Sequence, residues 1–105
     1  MGGVKLPKAK MNLKPLEYAN FALKSLIENR PVENFVFYDA LYGISEFFKS
    51  GMNKNEKNLV YENIGVFKGI FNILKIYYEG GSCIREIIEA NYMDFNSLVG
   101  KLREI

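Results

Sequence analysis

Apolar residues recur at alternating four- and three-residue intervals through the third quarter of the chain, and this spacing limits the possible folds most strongly. The residues are Val60, Ile64, Phe67, Phe71, Leu74 and Tyr78. This period places them on one face of an α-helix, whereas a half-buried strand alternates every second residue. It predicts a helix over 56–79, about 36 Å long, with Asn55 or Asn58 as its cap. Gly65 and Gly69 would lie on one side of this helix, where another helix could approach. We favour one continuous or kinked helix over the alternative, in which one helix ends at Gly65 and a second helix follows it.

The first half of the chain predicts two further helices. Pro15 suits the first turn of a helix, and apolar residues follow it at helical spacing as far as Ile27. Pro31 ends that helix at about residue 29 or 30 and can open the next one, since proline lacks the N–H that a helix interior needs. The second helix spans 32–49, and Gly51 is a plausible stop.

This second helix carries more aromatic residues than one buried stripe requires. They are Phe35, Phe37, Tyr38, Tyr42, Phe47 and Phe48. The surplus predicts that the helix lies between neighbours on two sides or faces a second subunit. We expect a homodimer formed through the aromatic helices of residues 14–50. A small-ligand pocket lined by the same rings is the alternative.

The last 26 residues predict two short amphipathic helices joined by a tight turn. Gly80-Gly81 should end the preceding helix, and Ser82 is a good N-cap for the next. Asn91-Tyr92-Met93 breaks the apolar period, and Asp94 can cap a final helix. The inward faces are Ile84, Ile87 and Ile88 on the first helix and Phe95, Leu98, Leu102 and Ile105 on the second. Such a pair crosses steeply, which predicts a helix-turn-helix over 82–105.

Three segments of this region resemble parts of a known DNA-binding motif. They are Ile70-Phe71-Asn72-Ile73-Leu74-Lys75-Ile76 ending at Gly80-Gly81, Arg85-Glu86-Ile87-Ile88-Glu89-Ala90, and Asn96-Ser97-Leu98 followed by Leu102 and Ile105. In order, they are similar to the backing helix, the first motif helix and the recognition helix of winged-helix DNA-binding regulators. The resemblance covers 66–105 and implies a transcriptional regulator that binds duplex DNA. Tyr92 stands where a glycine is common, and no residue follows Ile105 to form a wing, so a wingless, three-helix version is expected.

Helical geometry turns a polar side of the last helix outward and gives the candidate DNA contacts. They are Arg85, Asn96, Ser97, Gly100, Lys101 and Arg103. Asparagine and arginine suit bidentate contacts with base edges, whereas serine and lysine can reach phosphates. Residues 94–105 carry two basic and two acidic side chains, so DNA affinity would also need dimerisation and further basic groups. A helical protein–protein interaction or adaptor module therefore stays open as the alternative function.

The charge is unevenly distributed along the chain. The net charge of the chain is +2. Residues 1–14 carry Lys5, Lys8, Lys10 and Lys14 and no acid, whereas the rest of the chain carries ten basic and twelve acidic residues. We expect residues 1–13 to be a flexible basic arm on a single helical domain over 14–105. Such an arm can contact phosphates or enter a minor groove, or it can be a solubilising tail or a non-native remnant.

The residue types that support catalysis are scarce in this chain. There is no His, one Cys and two Asp, so the usual acid–base and metal arrangements are missing. Glu86 and Glu89 could suit a metal but fit a solvated face better, and Cys83 fits a buried structural thiol better than a reactive one. We expect no enzymatic activity, no cofactor and no metal. With no long apolar run, we expect a cytoplasmic protein outside the membrane, folded as an all-α orthogonal helical bundle of about five helices.

Overall fold

The computed structural model of the protein describes residues 11–105, and within them the fold is all-α. The five helices are α1 (Leu16–Ile27), α2 (Asn34–Lys49), α3 (Lys54–Glu62), α4 (Ile64–Tyr78) and α5 (Arg85–Glu104). No strand occurs between residues 11 and 105. The predicted fold class and helix number are confirmed. The arm lysines Lys5, Lys8 and Lys10 lie outside the described residues.

The four longer helices pack as a ring. The helix α1 contacts α2, α2 contacts α4, α4 contacts α5, and α5 returns to α1, with a weaker contact across the ring between α1 and α4. Tyr38 near the start of α2 lies 6.1 Å from Tyr78 at the end of α4, measured between ring centroids. Phe48 near the end of α2 lies 5.0 Å from Phe67 near the start of α4. The two helices therefore run antiparallel.

Three fully buried phenylalanine rings, one each from α2, α4 and α5, meet inside the ring of helices. Phe47 stacks on Phe67 with centroids 5.3 Å apart, and Phe67 meets Phe95 edge-on at 6.4 Å. Offset-stacked and edge-to-face contacts are the favoured geometries for aromatic pairs and contribute about 0.5–1.5 kcal/mol each beyond the burial of area. The aromatic cluster thus joins three helices that are far apart in sequence.

The predicted 56–79 helix is divided at Asn63. The side-chain amide of Asn63 donates to the Leu59 carbonyl at 2.9 Å, and the Asn63 carbonyl accepts from the N–H of Val66 at 3.0 Å. The Asn63 backbone, with φ of −114° and ψ of 24°, lies outside the α-helical region, and this ends α3 and begins α4. The helix is therefore not continuous, and the break lies two residues before Gly65. A methyl group on Gly65 would meet nothing within 4 Å, so this glycine is not a close-contact position, whereas one on Gly69 would strike the side chain of Asn91 in α5.

The cap of α3 is Asn53, and the prediction of Asn55 or Asn58 is wrong. The N–H of Glu56 donates to the side-chain oxygen of Asn53 at 2.8 Å, and the N–H of Asn53 donates to the Glu56 carboxylate at 2.8 Å. This reciprocal capping box satisfies two N–H groups that the first turn leaves unpaired.

The helix α4 ends at the predicted glycine pair. Gly80 adopts a φ of 92°, in the left-handed region. The N–H of Gly80 donates to the Tyr77 carbonyl at 3.0 Å, and that of Gly81 donates to the Ile76 carbonyl at 2.8 Å. These two bonds form a Schellman motif, so the predicted helix stop is confirmed. The helix α1 ends in the same way at Asn29, with φ of 55°.

The two short helices and the turn predicted for residues 82–105 are wrong, because α5 is one helix over Arg85–Glu104. It begins after Ile84 without a side-chain cap, so Ser82 is not its N-cap. Asn91 fits inside the helix because its side-chain amide donates back to the Ile87 carbonyl at 2.8 Å. Buried residues recur every seven positions at Ile88, Phe95 and Leu102 and give the helix one continuous inner stripe. The helix-turn-helix with a turn at residues 91–93 is not formed.

Gly43 in α2 marks the closest approach of α2 to the start of α1. A methyl group there would strike the backbone carbonyl of Pro15, which cannot move aside as a flexible side chain could. Gly43→Ala should therefore lower the free energy of unfolding by about 1–3 kcal/mol in a urea titration. Gly100→Ala is the matched control, because nothing lies within 4 Å of its added methyl group, and a gain of about 0.5–1 kcal/mol is expected. A Gly43→Ala variant as stable as the parent would contradict this packing.

Met93 tests the continuity of α5, because its side chain is 69% exposed and contributes little to the core. Proline inside a helix removes a hydrogen bond and costs about 3 kcal/mol or more, whereas a turn would tolerate it. We expect Met93→Pro to lose at least that much stability by chemical denaturation, and Met93→Ala to stay within about 0.5 kcal/mol of the parent. Equal stability of the two variants would favour a turn instead.

Candidate interaction groove

The six candidate DNA contacts all lie on α5, and they do not form a compact cluster. Arg85, Asn96, Ser97, Lys101 and Arg103 are exposed, and Gly100 is half-buried. At 100° per residue, Arg85, Asn96, Gly100 and Arg103 fall within about 60° of one line along the helix, while Ser97 and Lys101 lie further round. Arg85 and Arg103 are separated by about 27 Å along the axis. The polar side is thus outward but spread over the whole helix.

Two of these side chains already have partners on α5. The Nε of Arg85 donates to the Glu89 carboxylate at 2.7 Å, and the Asn96 amide donates to the Tyr92 carbonyl at 3.2 Å. Three basic and four acidic residues fall within 85–104, giving this helix a net charge of −1. Lys14, the arm lysine that the structure describes, is exposed. A surface of this charge offers little attraction to a phosphate backbone.

The other polar groups singled out in the sequence do not converge on a reaction centre. Within residues 11–105, no three His, Cys, Asp or Glu side chains lie close enough together to hold a metal ion. Cys83 is half-buried, so the predicted burial of its thiol is only partial. Its N–H donates to the Tyr77 hydroxyl at 3.2 Å, and that hydroxyl donates to the Cys83 carbonyl at 3.3 Å. These bonds hold the loop before α5 against the end of α4.

The aromatic residues of α2 divide between the core and the surface. Phe37 and Phe47 are buried, and Phe48 is half-buried against α4. Phe35, Tyr38 and Tyr42 are more than half exposed. Tyr38 stacks on Tyr42 with centroids 6.5 Å apart and also meets Tyr78 of α4. The surplus noted in the sequence is therefore a set of rings turned away from the core.

An open apolar groove runs between α2 and α4 on the outer side of the ring of helices. It consists of two adjoining cavities, of about 570 and about 460 Å³, that share Ser45 and Phe71. The first is lined by Ile44, Ser45, Phe48, Lys49, Ile64, Phe67, Lys68, Phe71 and Asn72. The second is lined by Tyr38, Leu41, Tyr42, Ser45, Phe71, Lys75, Tyr78 and Glu79. We call this surface the α2–α4 groove.

The charged residues that line the α2–α4 groove are mostly basic. Lys68 and Lys75 project from α4, Lys49 projects from α2, and Glu79 is the single acid among the lining residues. Lys49 lies 3.6 Å from Glu46, a loose contact between exposed groups that contributes little. Among residues 11–105, no carboxylate lies within 4.0 Å of the Lys68 or Lys75 ammonium group. The α4 side thus carries two positive charges that form no ion-pair contact, with Glu79 one helical turn beyond Lys75.

Sequence reasoning recognised the aromatic surplus of α2 but not its pairing with α4. The aromatic surplus of α2 and the outer lysines of α4 are visible in the sequence. Their juxtaposition depends on the antiparallel packing of α2 on α4, which no local pattern specifies. The prediction that α2 lies between neighbours on two sides is confirmed, because it packs against both α1 and α4. The aromatic residues that neither neighbour covers are Phe35, Tyr38 and Tyr42.

Comparisons with known proteins add no relative: no family model, no curated protein and no solved structure matches the chain. In residues 11–105, no helix has both the length and the apolar character needed to span a bilayer. The fold and the surface together define a small all-α protein of five helices with an apolar groove open along one side.

Proposed function

We propose that the protein is a non-enzymatic protein–protein interaction module that binds a helix of its partner in the α2–α4 groove. The observation that carries the proposal is the groove itself. Apolar side chains line two adjoining cavities between two helices, and no described helix covers them. Burial of apolar surface is the main favourable contribution to most protein association, so a partner that fills this groove is stabilised by covering it.

The shape of the groove suits a helix better than an extended peptide or a small molecule. Its walls are two antiparallel helices, and along α2 it runs from Tyr38 to Lys49, or about 17 Å. An amphipathic helix that lies in such a groove inserts apolar side chains spaced three, four and seven residues apart. Between residues 11 and 105, no strand offers an edge to which an extended peptide could add.

The exposed tyrosines at one end of the groove favour a protein partner. Tyr38, Tyr42 and Tyr78 each present an apolar ring and a polar hydroxyl. Tyrosine is enriched at protein interfaces because its ring can be buried while its hydroxyl stays hydrogen-bonded. A contact there needs no rearrangement of the core.

Duplex DNA stays the alternative partner. The exposed Asn96, Ser97, Lys101 and Arg103 favour it. The net charge of α5 and its single continuous helix weigh against it, because a helix-turn-helix within 82–105 requires two short helices. Transcription regulation therefore ranks below protein binding.

Ser45 provides a direct test, because it is exposed and lies where the two cavities meet. The probe is a synthetic amphipathic peptide of about 16 residues with leucine and phenylalanine on one face and glutamine elsewhere. We expect it to bind, with NMR amide shifts concentrated in α2 and α4. Ser45→Arg should weaken binding about tenfold or more by obstructing the groove, and Ser45→Ala should not.

The stability of both Ser45 variants should match that of the parent, since the side chain contributes little to the core. Absence of peptide binding, or shifts confined to α5, would refute the proposal. Retention on duplex DNA that falls steeply with salt and is lost in Lys101→Ala and Arg103→Ala would establish the DNA-binding alternative instead.

A further inference from the structure

We infer that the helix bound in the α2–α4 groove is acidic, with carboxylates spaced to meet Lys68 and Lys75 beside two bulky apolar residues seven positions apart. The inference rests on the proposed function and specifies the partner. It follows from the charges that line the groove, from the spacing of its two cavities, and from the poor fit of the occupants that the chain itself could supply.

The two lysines that form no ion-pair contact lie on one side of α4. Lys68 and Lys75 are seven residues apart, which is about two helical turns or 10.5 Å. Both line the groove and are exposed. A partner helix that lies along α4 with acids at the same spacing would meet both ammonium groups at once. Such pairs fix the register and speed association even where each contributes modestly.

The two cavities have the same spacing as the lysines. Phe48 lines the first and Leu41 the second, and these residues are also seven positions apart, on α2. Ser45 and Phe71 lie between them as a shared wall. A partner that places one large apolar side chain in each cavity therefore needs two such side chains about 10 Å apart. A helix provides this spacing at positions i and i+7. On the partner helix, the apolar anchors and the acidic residues would therefore both recur every seven residues.

A second copy of the chain fits this groove poorly. If two copies met with α4 against α4 in antiparallel order, centred near Phe71, Lys68 would oppose Lys75 of the other copy. If α4 lay against α2 of the other copy in parallel order, with Phe71 beside Ser45, Lys75 would lie level with Lys49. Both arrangements bring like charges together in a closing interface, which is unfavourable. The homodimer expected from the aromatic helices thus has no favourable charge arrangement here.

The N-terminal residues are an unsuitable occupant for the same reason. Residues 1–10 contain three lysines and no acid. Their charge has the same sign as that of Lys49, Lys68 and Lys75. Charge complementarity therefore points to an acidic helix from another protein.

Three peptides with one apolar face and different flanks test the inference. Each is about 16 residues long, carries leucine and phenylalanine at the anchor positions, and has glutamate, glutamine or lysine beside them. We expect the glutamate peptide to bind the full chain about tenfold more tightly than the glutamine peptide at low salt, because two surface ion pairs supply a preference of that order. The advantage should shrink at high salt, and the lysine peptide should bind most weakly.

A charge swap assigns the preference to the groove. The double variant Lys68→Glu, Lys75→Glu should prefer the lysine peptide to the glutamate peptide. The matched control is Lys24→Glu, Lys57→Glu, which changes the net charge equally at exposed positions outside the groove. This control should keep the preference for glutamate.

The outcomes separate the two proposals. Equal binding of the glutamate and glutamine peptides, or an unreversed preference in the swapped variant, would overturn the inference and leave the interaction groove standing. A dimer in sedimentation that Ser45→Arg dissociates would assign the groove to a second copy and also overturn it. Failure of all three peptides to bind would overturn both.

Discussion

The contact of Phe67 with Phe47 and Phe95 is the interaction on which the rest of the structure depends. These three rings are fully buried and come from α2, α4 and α5. Because each helix must turn its phenylalanine inward, the rotation of each about its own axis is fixed. The directions of the side chains on the outer side of each helix are fixed by the same rotation. Tyr38 and Tyr42 therefore face outward on α2, and Lys68 and Lys75 face outward on α4.

The groove is a consequence of this packing. The helix α2 has apolar residues on more than one side, but α1 and α4 satisfy only part of that surface. The close approach of Gly43 to the Pro15 carbonyl brings α2 against the start of α1, and the aromatic contact brings it against α4. Leu41, Phe48 and Phe71 remain half-buried between α2 and α4. Half-buried apolar side chains beside lysines form a surface that an amphipathic partner can complete.

Most of the architecture was predictable from the sequence, because helical periodicity and chain-stopping residues are local signals. The helical class and the stop at Gly80-Gly81 are confirmed. Five helices are found as predicted, but the predicted 56–79 helix forms two and the predicted pair over 82–105 forms one. The sequence does not predict the break at Asn63 or the cap at Asn53, because asparagine occurs at helix ends, at caps and within helices. The side chains of Asn63 at the break and Asn91 inside α5 even make the same bond, to the carbonyl four residues earlier. Asn91 shows the same ambiguity: the interrupted apolar period predicts a turn there, yet its side-chain amide donates to the Ile87 carbonyl inside a continuous helix. The groove was not predictable, because it depends on the pairing of two helices distant in sequence.

The most direct test of the account is to locate the bound peptide on the protein. A spin label on the glutamate-flanked peptide should broaden the amide signals of residues around Leu41, Ser45 and Phe48 in α2 and around Phe71 and Lys75 in α4. Signals from residues 94–104 should stay sharp. Broadening concentrated on α5, or spread evenly over the surface, would contradict the claim that the α2–α4 groove is the binding site.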